Sequence, residues 1–269
     1  MKVYIRSQYY APKDYVLIQA DFSQAESWIV AALANEEQMF SALKLGIIHE
    51  QTASVLFDMT LEQARAKEPR YVGKRYNHAS AYRMSYLRAA EVINADSDKP
   101  PFVTVTNEQS KKFSEKWHKF YNVRGWWYDI ECQLKTNRTL ITPYHRKRQF
   151  FGMWGDELFK EATAFVPQST VADHAYGRVQ KELGVVGGFI GVSKLRSVTS
   201  GECRLVNTAH DSIMLEVPKS IAYAVAAEVY SCLARPIVVR DRMFTIPVDV
   251  EIGERWSEME KIKKEMLGI

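Results

Sequence analysis

Cysteine is scarce. Cys132, Cys203 and Cys232 are the only three in 269 residues. They are odd in number and far apart, and no Cys/His spacing suits zinc. This argues against a disulfide framework or a zinc module and points to a reducing compartment. No apolar run reaches the roughly 18 residues of a membrane span. The first residues, MKVYIRSQYYAPKDY, lack the apolar core of a signal peptide, so a soluble cytoplasmic protein is expected. Internal repeats and low-complexity tracts are missing too. Neither sign of charge dominates: Lys+Arg number 36 against Asp+Glu 32, a net +4 that permits a polyanionic partner without demanding one. Core-forming residues are plentiful, at 46% hydrophobic and 12% aromatic. The length suits one large domain or two modest ones. Basic residues cluster in RYVGKR (70–75) and HRKRQ (145–149), and each cluster taken alone reads as a solvated basic face.

YVLIQAD (15–21) reads as a buried strand that ends on an acid, Asp21. SQAESWIVAALA follows with helical apolar spacing, and Ser23 with Glu26 forms the S-x-x-E pattern of a capping box. Helix is expected at 49–57, 70–93 and 107–135, with a Pro-broken loop at 94–102 between the last two. Residues 138–150 read as a strand with a turn at Pro143 and a basic tip. Helix returns over 156–183, where Pro167 marks a break or kink. The Gly-rich 184–194 reads as loop or flexible strand. CRLVNTA and SIMLEVP flank His210 and Asp211 as a hairpin. A helix over 220–236 and a strand over 245–253 close the chain. The expected fold class is α+β, with a small antiparallel sheet split in sequence by a helical insertion.

Asp21 is either part of a helix cap or part of a site. Asp211 is either ordinary turn chemistry or its partner. If both strands share a sheet, the two carboxylates meet at its edge and can hold two hard divalent cations around a phosphoryl group. On the 70–93 helix, Arg70, Lys74, His78 and Tyr82 recur every fourth residue along one gently winding stripe. That stripe is either a solvated basic face or a wall for a triphosphate and a base.

Together these segments resemble, in order, the polymerase half of family A DNA polymerases, the bacterial DNA polymerase I type. ADFSQAES resembles D-Y-S-Q-x-E, and IIHEQTASVLF resembles D-I-H-x-x-T-A. RYVGKRYNHASAYRMS resembles the fingers helix R-x3-K-x3-[FY]-x3-Y-G-M-S, with Asn77 in its place before His78. TPYHRKRQF resembles T-x-x-G-R-R-R, and VPQSTVAD resembles P-x-Q-G-T-A-A-D. NTAHDSIMLEVP resembles V-H-D-E-x-x-x-E-x-P, and VDVEIGERW resembles the C-terminal strand and turn.

The resemblance implies an antiparallel palm sheet with helices, split by helical fingers. Its parts would be 1–48 palm, 49–136 fingers and 137–269 palm. It implies primer extension with dNTPs on a DNA template by a two-metal mechanism, using two Mg2+ ions that Mn2+ can replace. Asp21 and Asp211 would be the catalytic metal ligands, with the Phe22 carbonyl beside them. Gln24, Glu26, His49, Arg70, Lys74, His78 and Tyr82 would bind the nucleotide. Glu26 would exclude a 2′-hydroxyl, with the capping box as its rival role. Arg146, Arg148, Gln168 and His210 would touch primer–template DNA. The setting implied is the cytoplasm of a bacterial or phage-infected cell.

Several positions depart from the family pattern: His78 for Phe or Tyr, Arg83 for Gly, Ser212 for Glu, Tyr71 for Arg, Ser169 for Gly and Lys160 for Arg. None removes an acid of the metal pair; together they bear on speed and fidelity. Asp129-Ile130-Glu131 imitates an exonuclease D-x-E but falls in an aromatic helix. The family's thumb, first palm segment and exonuclease domain are expected upstream. Either the sequence is a cut-down portion, or a second chain supplies thumb and exonuclease functions. A catalytically weak nucleic-acid-binding subunit of a replication assembly is the alternative reading. Single-subunit RNA polymerase chemistry is a third, which Glu26 and the third motif disfavour.

Overall fold

The computed structural model describes residues 5–180, 183–184 and 187–268. In chain order the elements are β1 (Tyr15–Phe22), α1 (Ala25–Leu33), α2 (Glu37–Lys44), α3 (Ile48–Phe57), α4 (Leu61–Ala64), α5 (Lys67–Ala81), α6 (Tyr86–Asn94), α7 (Asn107–Phe120), α8 (Arg124–Asn137), β2 (Thr139–Ile141), β3 (Lys147–Gln149), α9 (Asp156–Tyr176), α10 (Gly188–Ser193), α11 (Leu195–Val198), β4 (Arg204–Ala209), β5 (Ser212–Pro218), α12 (Ala222–Leu233), β6 (Pro236–Val239), β7 (Arg242–Thr245), β8 (Val248–Gly253) and β9 (Glu260–Lys261). The class is α+β, as expected. None of the described helices is long and apolar enough to cross a membrane. The chain divides into two compact units, residues 1–25 with 169–269, and residues 26–168.

The first unit is built on an antiparallel sheet in the order β4-β5-β1-β8-β9. Side chains alternate across a strand, and directly opposed residues share a face. On β1, Ile18, Ala20 and Phe22 stand opposite Ile252, Val250 and Val248 of β8. That face packs on α12, whose Ala222, Val225, Ala226, Val229 and Leu233 are buried. The other face pairs Asp21 with Asp249 and Gln19 with Glu251. One side of the sheet is therefore core, and the other carries the acids beside buried Leu17 and Met214. The order of β1 and β5 explains the long sequence gap between the motifs: the strands are neighbours, paired from Tyr15↔Pro218 to Asp21↔Ser212.

The second unit is helical, with the short hairpin β2–β3. Helices α3 and α5 approach so closely that a Cβ on Gly73 would lie 2.3 Å from the His49 carbonyl oxygen and 2.9 Å from Ala53 N. Glycine alone allows that approach. Around this crossing, Tyr76, Trp117 and Tyr121 are almost fully buried. Thr106 opens α7 with a capping box to Gln109, and Ser85 caps α6.

Several elements differ from the sequence expectation. The helix read over 70–93 is two helices. Arg83 takes a left-handed φ of 61° just past the Tyr82 C-cap of α5, the position where glycine usually ends a helix. Its side chain holds that conformation: Nε donates to Thr163 Oγ1 at 3.0 Å, Nη1 to Glu131 Oε1 at 2.7 Å and Nη2 to the Trp127 carbonyl at 3.0 Å. The stretch 107–135 also breaks in two. Tyr121 is extended there, and the Asn122 N–H donates to Glu36 Oε2 at 2.7 Å. Helix α9 runs on through Pro167. Residues 188–193 are helical, where loop or strand was expected, and the hairpin β6–β7 was not anticipated. The Ser23–Glu26 capping box does not form. Gln24, with φ 57°, is the residue before the helix, which places Ser23 one position too early. The expected end of the 156–183 helix at 181–182, and residues 185–186 of the Gly-rich segment, lie outside the described residues.

Candidate active site

In the first unit, the chain places its two singled-out acids side by side. Asp21 is near the end of β1, a strand paired on both sides. Asp211 sits in the two-residue turn between β4 and β5, closed by the Ala209↔Ser212 pair. His210, at φ 53°, lets the turn close and is exposed. The Asp21 and Asp211 carboxyls lie close enough to change each other's proton affinity. They meet at the end of neighbouring inner strands rather than at the lateral edge of the sheet. Partial burial, then repulsion from Asp211 and more weakly from Asp249 and Glu251, pushes Asp21 up to about 6. Burial raises Asp211 as well. Two acids this close repel each other once both are ionised.

Among the described residues, no group of three or more His, Cys, Asp or Glu side chains is arranged to hold a metal ion. The acids that could hold a cation here are the paired carboxylates of Asp21 and Asp211. That set suits Mg2+, which commonly takes one or two carboxylates and completes its octahedron with water and substrate phosphate. Phe22 lies next to Asp21 on the strand, its ring packed near His174. Gln24 is left-handed, and its buried Oε1 meets no hydrogen-bond partner.

In the second unit, α5 presents Arg70, Lys74 and His78 on its exposed face, while Val72, Gly73, Tyr76, Asn77, Ala79 and Ser80 are buried. Tyr82 follows at the helix end, half-buried, and its hydroxyl donates to Glu26 Oε2 at 2.5 Å. Burial, then the Glu26 charge, raises the Tyr82 hydroxyl well above its ordinary value. Glu26, His78 and Tyr82 line one small pocket with Ile48, Asn77 and Ala81. His49 projects from α3 beside this face, its ring 6.4 Å from that of His78. Burial, then the charges of Arg70, His78 and Lys74, lowers His49 to about 4. His78 is lowered too, by partial burial first; Glu26 opposes and Lys74 and Arg75 add to the effect.

Arg70 and Arg148, both among the predicted cations, meet carboxylates. Arg70 Nε donates to Glu50 Oε1 at 2.5 Å. Arg148 pairs with Glu161 and stacks over Phe150 at 4.8 Å. Arg146 is exposed at the tip of the β2–β3 hairpin, and Gln168 is exposed on α9. The sequence reading missed Glu50, Asp249 and Glu251. The two acids of β8 were legible as the outward positions of V-D-V-E-I. Glu50 carried no local signal, since its partner is twenty residues away.

The family model for DNA polymerase family A matches residues 1–258. DNA polymerase I of Thermus aquaticus is 26% identical over 267 residues, covering 94% of this chain and 28% of that protein. The Geobacillus stearothermophilus enzyme is 23% identical over 251 residues, covering 91% and 26%. This chain thus spans little more than a quarter of the length of such curated relatives. Among solved structures, the POL domain of Pol1 from M. smegmatis, in complex with DNA primer-template and dNTP, aligns with a TM-score of 0.74 at 20% identity, over 94% of this chain and 42% of that one. The motif order, the acid pair and a family match over nearly the whole length agree: the chain belongs to DNA polymerase family A.

Proposed function

We propose that this chain carries the nucleotidyl-transfer site of a template-directed DNA polymerase, acting on dNTPs and a primer 3′-hydroxyl. The observation that carries the reading is the Asp21–Asp211 carboxyl pair, brought together from motifs far apart in sequence. The residues fit two divalent ions: Asp21, Asp211 and the Phe22 carbonyl would hold them. Mg2+, or Mn2+ in its place, would when bound neutralise charge on the transferring phosphoryl group and orient the attacking hydroxyl. Residues 1–48 and 137–269 would form the palm and 49–136 the fingers.

The α5 face supplies the nucleotide contacts. Lys74 and Arg70 balance triphosphate charge, and His49 donates a hydrogen bond to it. Arg70 must leave Glu50 to do so. His78 stacks on the incoming base or sugar. Glu26, fixed by Tyr82, fills the space a 2′-hydroxyl would need. Tyr82 also occupies the template-side position, and Gln24 completes the nucleotide shell. Gln168 and His210 meet minor-groove acceptors shared by all correct pairs. Arg146 and Arg148 take backbone phosphate.

Magnesium-dependent primer extension tests the reading. Asp211→Asn should lose extension by at least about a hundredfold while DNA binding and the far-UV spectrum stay unchanged. Extension that survives the substitution would remove the acid pair from catalysis. Binding without extension by the unaltered chain would favour a non-catalytic binding subunit.

A further inference from the structure

Asn77 lies one residue before His78, yet its side chain faces inward. Asn77, His49 and Trp117 are 5%, 3% and 0% exposed. Trp117 Nε1 donates to Asn77 Oδ1 at 3.0 Å, and Thr52 Oγ1 lies 2.8 Å from the same oxygen. An indole N–H can only donate, so the atom it meets must be the amide oxygen. This settles which way the amide points. Its nitrogen then faces the Ile48 carbonyl at 3.3 Å and His49 Nδ1 at 3.2 Å. An amide nitrogen offers only hydrogens, so Nδ1 must accept and the ring proton belongs on Nε2. The backbone carrying the ring is fixed as well, because Gly73 seats α5 directly on the His49 carbonyl. Among the described residues no protein group bonds Nε2, and Arg70, Lys74 and His78 stand around the ring.

We infer that Asn77 is a positioning residue: it holds His49 as the neutral Nε2–H tautomer, so that the imidazole offers a phosphate oxygen an aimed hydrogen bond without a charge. The phosphate half of this inference rests on the nucleotide-binding reading of α5; the tautomer half does not. Burial, then the charges of Arg70, His78 and Lys74, independently keeps the His49 ring neutral. The division of labour is then clear. Arg70 and Lys74 supply charge, and His49 supplies direction.

The test is nitrogen NMR of the full chain with labelled histidine, the His49 signals being assigned by their loss in His49→Gln. At pH 7, Nδ1 should read as the bare nitrogen and Nε2 as the protonated one. Asn77→Asp puts a carboxylate oxygen where the amide nitrogen was and should protonate Nδ1. Inorganic tripolyphosphate should shift the Nε2 signal of the unaltered chain and leave Nδ1 bare. A protonated Nδ1 in the unaltered chain overturns the inference, and this measurement needs no variant to fold. A bare Nδ1 in a folded Asn77→Asp chain overturns it too. An Nε2 signal indifferent to tripolyphosphate overturns the phosphate role. Primer extension reports separately on the parent reading: an inactive chain with the expected tautomer and tripolyphosphate response would sink the polymerase reading and leave this assignment standing.

Discussion

At the scale of single residues, the acid pair costs the folded protein stability once both carboxyls are ionised. Asp21 binds its proton up to about pH 6, well above the 3.8 of an ordinary aspartate. The folded chain therefore holds a proton that the unfolded chain releases. This group favours folding most below about pH 4, and the contribution is lost as pH rises through about 6. Asn at position 21 mimics the protonated acid. Without metal, Asp21→Asn should melt higher than the unaltered chain at pH 7, and the difference should close near pH 4. Mg2+ should raise the melting temperature of the unaltered chain and leave the variant unmoved. No gain at pH 7 would mean that the pair is not under repulsion. Glu50 makes a second residue-scale case. Its carboxyl accepts from Arg70 Nε, in a pair whose Arg side chain is 45% exposed. Such a pair is worth at most about 1 kcal/mol, so Glu50→Gln should lower the KM for every dNTP by about two- to fivefold, with kcat unchanged. A base-selective change would remove Arg70 from the phosphates. Asp21 and Asp211 were legible in the sequence because each sits at a locally patterned spot, a strand end and a hairpin turn. The Glu50 contact and the inward role of Asn77 were not, since both depend on how α3 meets α5 and α7.

At the scale of elements, periodicity located the long helices and the strands β1, β4, β5 and β8, but not the breaks within helices, the hairpin β6–β7 or the short helix α10. The 70–93 and 107–135 stretches carry uninterrupted helical spacing. The breaks come from tertiary bonds: the three donated by Arg83 in the first case, and the Asn122–Glu36 contact in the second. Pro167 shows the converse, a local breaker carried within a long helix. The α3–α5 crossing is the element contact on which the α5 face depends. Gly73→Ala would press a methyl into backbone atoms that cannot rotate away. The helices must separate, at a cost of about 1–3 kcal/mol by the usual penalty of overpacking. Urea unfolding should show a lower midpoint with an unchanged slope, and the His49 NMR signals should move. A midpoint within error of the unaltered chain would show that the helices have room to part.

At the scale of the whole molecule, the balance of charge limits how tightly the chain can hold nucleic acid. The net +4 is small, so attraction must come from a few placed cations rather than a broad field. Of those expected to meet phosphate, Arg148 is paired with Glu161 and Arg70 with Glu50. Arg146, Lys147 and Lys74 are exposed. Three phosphate contacts are the count when Glu161 and Glu50 keep Arg148 and Arg70 while Arg146, Lys147 and Lys74 reach DNA. Each contact contributes about 0.9 to the salt slope, so log affinity for a primer–template should fall against log salt with a slope of about 2.7, or about 40-fold between 50 and 200 mM salt. Glu161→Gln, by freeing Arg148, should steepen the slope by about 0.9 and tighten binding at low salt. The fluorescence anisotropy of a labelled primer–template across a salt series measures both. A slope above about 6 would mean that cations beyond these carry the contact. An unchanged slope in Glu161→Gln would mean that Arg148 stays on the aromatic stack of Phe150 and Phe165 and never reaches DNA.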